Sequence, residues 1–199
     1  MRFTAYFGWI DGTPEKKPMN ALLRLARGID KLNEVIGRGV SWLMLAAVLI
    51  CAGAATARYA LSVGSNAWLE IQWYLNAAVW LLVAGYTLKR QEHVRIDVIF
   101  GKLPLRVQTW IDIVGGVVML LPACVIIGWY SLPSLFNSWN IQEYSSDPGG
   151  LIRWPVRLLI PIAFALLALQ GVSQIIKRIG LLQGRVPEEE FEKKAHGVA

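Results

Sequence analysis

The sequence predicts an all-α integral membrane protein. It reads as four transmembrane helices, an N-terminal amphipathic helix lying along the headgroups, and a short cytoplasmic elbow helix. Three observations carry that expectation. The apolar residues, 55% of a 199-residue chain, are gathered into four long blocks. The cations alternate between rich and poor stretches as the chain passes through those blocks. Two of the cation-rich stretches are themselves amphipathic.

The first block is Val40 to Leu61, "VSWLMLAAVLICAGAATARYAL", and the second is Trp68 to Leu88, "WLEIQWYLNAAVWLLVAGYTL". The third is Trp110 to Leu132, "WIDIVGGVVMLLPACVIIGWYSL". The fourth has its apolar centre at Leu158 to Ile176, "LLIPIAFALLALQGVSQII", within a helix over 156–178. A hydrocarbon core about 30 Å thick takes roughly 20 helical residues to cross. Backbone groups in lipid must bond within their own segment, so each block is expected to be a helix. The spans are placed at 40–61, 68–88, 110–132 and 156–178. Together with their flanks they form one membrane domain over 21–181, between a flexible N-terminus (1–20) and a disordered tail (182–199). The first block begins too late and runs too long for a secretory leader, although "AGAATA" offers small residues of the cleavage type. Cys51 and Cys124 fall inside spans and read as small hydrophobes.

Orientation follows from the cations. Arg2, Lys16, Lys17, Arg24, Arg27, Lys31 and Arg38 precede the first span, and only Arg58 stands between the first and second. Lys89, Arg90, Arg95, Lys102 and Arg106 separate the second from the third, and only Arg153 and Arg157 separate the third from the fourth. Lys177, Arg178, Arg185, Lys193 and Lys194 follow. The positive-inside rule then puts both termini and the middle loop in the cytoplasm. The net charge of +6 flanks spans and forms no single patch, which excludes nucleic acid as a partner.

In "NALLRLARGIDKLNEVIGRG", Leu22, Leu25, Ile29, Leu32 and Ile36 recur at helical spacing, and the charges fall mainly elsewhere on the wheel. That pattern suits a helix in the headgroup plane. "VRIDVIFGKLPLRVQTW" alternates apolar with charged residues and is broken by Gly101 and Pro104, giving the elbow. The outer loop, Ser131 to Arg153, turns at Asp147-Pro148-Gly149-Gly150 and holds several aromatics. It suits the membrane surface or a partner.

Glu70 is the one carboxylate inside the second block. It lies only about 3 Å along the axis from Trp68, behind the possible caps Ser65 and Asn66. One reading has it open the helix at headgroup level, favoured by the helix dipole. The other has it meet a partner protein. Proton coupling is disfavoured because no midplane charge accompanies it. On the wheel Glu70, Trp73, Ala77, Trp80 and Ala84 share one broad face, and Gln72, Asn76, Val83 and Thr87 share another. Small residues admit a neighbouring helix and amides bond across it, so this span is expected to be covered by protein on two sides. Gly115, Gly116 and Gln170-Gly171 are further packing candidates, and Pro122 and Pro161 are expected to kink their helices. Asp112, at an inner edge, is expected to reach water.

No residues for catalysis are evident. The two histidines, His93 and His196, lie outside the spans, which excludes bis-histidine haem. No metal-ligand spacing, nucleophile elbow or phosphate-binding glycine pattern occurs. The chain reads as a non-enzyme without cofactor or metal.

The run from Glu70 through "QWYLNAAVWLLVAGYTLKRQEHVRID" resembles the second span and elbow of the small, DctQ-type membrane subunit of tripartite ATP-independent periplasmic (TRAP) transporters. In that family an acidic residue opens the span, and a His-x-x-x-Asp-like signature follows just inside the membrane. The matching residues are Glu70, His93 and Asp97, with Arg95 between. The stretch "DPGGLIRWPVRLLIPIAFALLALQG" resembles the family's outer loop and fourth span through Pro148-Gly149, Trp154, Ile160-Pro161 and Leu169-Gln170. The likeness covers roughly Leu25 to Leu181.

The resemblance implies a non-catalytic scaffold in the bacterial inner membrane. Its partners would be a large DctM-type permease subunit, a periplasmic substrate-binding protein and membrane lipids, in sodium-driven uptake of an organic acid. It makes Gln72, Trp73, Asn76, Ala77, Trp80 and Ala84, with Glu70, candidates for the permease interface. It makes Glu143, Tyr144, Asp147, Pro148, Gly149, Arg153 and Trp154 candidates for docking. Two alternatives stand beside it: an autonomous four-span ion-coupled transporter, and a structural subunit of a respiratory complex.

Overall fold

A computed structural model describes residues 17–62, 64–90 and 103–184. Residues 1–16, 91–102 and 185–199, which include the signature residues His93, Arg95 and Asp97, lie outside the described residues; the end of the expected elbow, from Leu105, is the start of a long helix. The described residues are all-helical apart from one isolated antiparallel bridge, Tyr144 to Ile152.

Helix α1 is Lys17–Leu61, 45 residues without interruption. The amphipathic segment expected in the headgroup plane is therefore continuous with the first span. Nothing between Asn20 and Val40 breaks a helix, since Gly28, Gly37 and Gly39 cost helix stability without forcing a turn. Of the apolar residues at helical spacing, Leu22, Leu25 and Leu32 are exposed, and Ile29 is buried with Leu23, Ala26, Asp30, Asn33 and Val40 on the face toward the bundle. Helix α2, Asn66–Arg90, follows a short turn in which Ser62 takes a positive φ of 55°.

Helix α3 spans Leu105–Asn140. It is α-helical over Leu105–Gly115, passes through a π turn at Gly116–Leu120, and resumes over Leu121–Asn140. The π turn sits just ahead of Pro122. A proline ring clashes with the carbonyl four residues back, and the wider turn relieves that clash. α3 also continues well beyond the expected end at Leu132, because Pro133 is accommodated inside the helix. The outer loop is thereby reduced to 141–153. Helix α4 is Trp154–Leu182, with Pro155 in its first turn and Pro161 inside.

α4 packs against each of the other three helices. α1, α2 and α4 form a triangle, and α3 is held chiefly by α4. Three helices are long and apolar enough to cross a membrane: Ala21–Leu61, Leu105–Asn140 and Trp154–Leu182. α2 falls short by composition, because Glu70, Gln72 and Asn76 dilute its apolar run. The chain is an integral membrane protein whose aliphatic and aromatic side chains largely cover its surface.

Candidate interaction surfaces and the polar layers

Two layers of polar contacts hold the bundle, one near each end. The first joins the N-terminal half of α1 to the C-terminal halves of α4 and α2. Asp30 pairs with Lys177, both of them buried. Its Oδ1 accepts from Gln170 Nε2 and from Ser173 Oγ, each at 2.9 Å. Ser173 Oγ also lies 3.0 Å from the Ala26 carbonyl oxygen. Gln170 returns its own oxygen to Asn33 Nδ2 at 2.9 Å. Gln170, Ser173 and Asn33 are essentially sealed from solvent.

Gly85 on α2 makes this layer possible. A Cβ there would overlap Asn33 Oδ1 and stand 3.6 Å from the Leu166 carbonyl oxygen. Beside the buried cluster, Lys89 Nζ donates to Glu34 at 2.7 Å, and Arg38 pairs with the same carboxylate. Asp112 of α3 pairs with Arg178 of α4.

Sequence reasoning missed this layer and expected the bundle to hold no buried charge. Asp112, expected to reach water, is instead largely buried against a guanidinium. A usable signal did exist: Asp30, Asn33 and Gly37 recur at helical spacing, as do Gln170, Ser173 and Lys177. Two polar stripes of that kind can zip together. Sorting every charged residue of an amphipathic helix onto the water face hides them.

The second layer answers the question of Glu70. Glu70 is 8% exposed, and its Oε2 accepts the Leu151 backbone N–H at 2.6 Å. The Ser145 hydroxyl bonds to the same carboxylate. One turn earlier, Asn66 Nδ2 donates to the Pro148 carbonyl at 3.0 Å. Glu70 therefore latches the 141–153 loop onto the start of α2. The loop is shaped for this contact. Gly149 takes φ +74°, and a Cβ on Gly150 would stand 2.7 Å from Glu70 Oε1. The Ser145 N–H to Leu151 oxygen bond at 2.9 Å and the Arg153 N–H to Glu143 oxygen bond at 2.9 Å close it as a small hairpin.

The rest of the loop is tied down as well. Arg157 donates to Glu143 at 2.7 Å and to Ser134 Oγ at 2.8 Å. Trp139 and Trp154 meet edge to face at 4.5 Å. Of the loop residues singled out in the sequence, Glu143, Arg153 and Trp154 are partly occupied within the chain. Tyr144, Asp147, Pro148 and Gly149 are exposed.

At about 1.5 Å per residue, Arg157 and Lys177 on α4 lie about 30 Å apart, and Glu70 and Lys89 on α2 about 28 Å apart. Between the layers, α2 turns Trp73, Asn76 and Trp80 outward, the two tryptophans 72% and 74% exposed. Gln72, Ala77 and Ala84 are half-buried. The structure thus brings Trp73, Asn76 and Trp80 into one outward stripe and sends Glu70 to the loop. Among the described residues no cluster of His, Cys, Asp and Glu could hold a metal ion.

A helical bundle clad in apolar side chains, with buried ionic groups paired between helices, defines a membrane-embedded protein. The family model for tripartite ATP-independent periplasmic transporters, DctQ component, matches residues 46–180. The chain belongs to this family, the small membrane subunit of TRAP transporters. No curated protein and no solved structure matches it.

Proposed function

We propose that the chain is a scaffold that holds a large DctM-type permease subunit in the bacterial inner membrane and helps it receive a periplasmic substrate-binding protein. The transport served is sodium-driven uptake of an organic acid, as the family resemblance implies. The observation that carries this reading is how the polar groups are used. They are spent on joining helices within the chain, at two levels separated by about the 30 Å of a hydrocarbon core. Between those levels the exposed stripe Trp73, Asn76 and Trp80 faces outward. The Asn76 amide in that stripe is a poor group to leave against lipid and a good one to bond to a neighbouring helix.

The same spacing supports α2 as a fourth span despite its diluted hydropathy. Both termini then lie in the cytoplasm and the Glu70 latch lies on the periplasmic side, in keeping with the distribution of cations. On that side the exposed tip Asp147-Pro148-Gly149, beside Tyr144, is where a binding protein would rest.

One observation favours a second reading, that of an autonomous ion-coupled transporter: Asp30 and Lys177 are buried charges in a membrane protein, which are commonly functional. Here each neutralises the other. Reconstitution separates the readings. The chain alone in vesicles is expected to give no gradient-driven flux, and flux that depends on Asp30 or Glu70 would defeat the scaffold reading. Copurification tests it from the other side. A long hydrophobic permease should accompany the chain, whereas a redox complex would assign it to respiration.

A further inference from the structure

At the Glu70 end, α1 and α2 part to form a cleft of about 580 Å³. Leu49, Gly53, Ala54 and Ala57 line one wall, and Trp68 and Leu69 line the other. The one charged side chain in its lining is Arg58. The guanidinium folds across the turn between the helices, with Nε 3.5 Å from where a Cβ on Gly64 would stand. It makes no ion pair among the described residues. Glu70, close by in sequence, is already committed to Leu151 and Ser145.

Arg58 stands about 30 Å along α1 from Arg38, so it lies at the opposite headgroup level. Exposed Tyr59 and Trp68 flank it, residues that favour that level. It is also the only cation between the first two spans, on the side of the bilayer where cations are otherwise sparse.

From this geometry we infer that the cleft binds one phospholipid of the outer leaflet. Its phosphate rests on Arg58 and an acyl chain lies along Gly53, Ala54 and Leu69. Charge complementarity selects the occupant. A lone guanidinium over apolar walls suits an anion that carries its own hydrocarbon. Inorganic phosphate would find one cation and nothing for the walls to hold. The lining offers no carboxylate to a choline or ethanolamine ammonium, so an anionic headgroup such as phosphatidylglycerol is preferred. The small side chains on α1 keep the groove open to a chain. The inference rests on membrane embedding and on the orientation proposed above, and is independent of the scaffold reading, since lipid retention and permease recovery are separate readouts.

The full chain would be purified in mild detergent and titrated with phosphatidylglycerol, phosphatidylcholine and inorganic phosphate, with native mass spectrometry counting bound molecules. One phosphatidylglycerol should be retained, and more tightly than phosphatidylcholine. Arg58→Gln should weaken it about tenfold, the size of one charge-assisted hydrogen bond. Gly53→Leu, which fills the groove and leaves Arg58 in place, should also reduce retention. Arg38→Gln, at the other headgroup level, should leave that lipid bound. Equal retention by the wild type and Arg58→Gln would overturn the inference. So would binding of inorganic phosphate as tight as that of lipid. A photocrosslinker at Ala54 that captured a polypeptide instead of lipid, in the complex extracted from membranes, would also overturn it.

Discussion

Lys177→Met removes the cation from a buried pair and leaves the Asp30 carboxylate in place. Asp30 is buried between α1 and α4, and its remaining partners are Gln170 and Ser173. Removing one member of a buried ion pair typically costs about 3–5 kcal/mol, because the other charge stays desolvated. Hydrogen bonds to a charged group contribute about 1.5–3 kcal/mol each. Two of them persist here, so the expected loss falls at the lower end, about 3 kcal/mol. In Asp30→Asn with Lys177→Met no charge remains. The amide still accepts from Gln170 and Ser173, so the double variant should lose only about 1 kcal/mol, the size of an ordinary hydrogen-bond deficit. The assay is reversible unfolding of the full chain in mixed micelles, read as a double-mutant cycle. Asp30→Asn alone strands the buried Lys177 ammonium in the same way and should cost a similar amount, so the cycle is expected to show a coupling of about 5 kcal/mol. Strict additivity, within about 0.5 kcal/mol, would show that the two side chains do not meet in the folded chain, and the polar zipper would have to be abandoned.

Gly85→Ala should destabilise the bundle by about 1–3 kcal/mol through overpacking against Asn33, and adding Asn33→Ala should recover part of that loss in the same unfolding assay. Glu70→Gln should weaken the Leu151 bond and speed amide exchange across Ser145 to Leu151 severalfold, while α4 amides keep their protection; unchanged loop exchange would deny the latch. Trp73→Ala with Trp80→Ala should leave the isolated chain within about 0.5 kcal/mol of wild type, as for surface positions, yet lower recovery of the permease subunit; full recovery would move the interface elsewhere. Asp147→Ala with Trp154→Ala should reduce transport that depends on a binding protein, measured in vesicles holding both membrane subunits.

The helical class, the membrane and the family were legible in the chain itself. Apolar blocks as long as a bilayer is thick, in a setting where backbone groups must bond within their own segment, leave helices as the one solution for this composition. The polarity of Glu70 and its place near the start of α2 were equally plain. What it binds was not, because Leu151 lies 81 positions away and offers a backbone N–H, which no side-chain pattern announces.

The same limit hid the layer at the other end. Asp30 lies in a stretch whose charges point mostly to water. Only the antiparallel docking of α1 on α4 sets it opposite Ser173 and Lys177, with Gly85 leaving room for Asn33. The continuity of α1 and the length of α3 also depended on packing, since a mid-helix glycine or proline biases a helix without ending it. Length, periodicity and charge order are local quantities, and they determined what the elements are and what surrounds them. Which polar groups meet is a property of pairs brought together from distant parts of the chain, and the packing of the helices alone decided it.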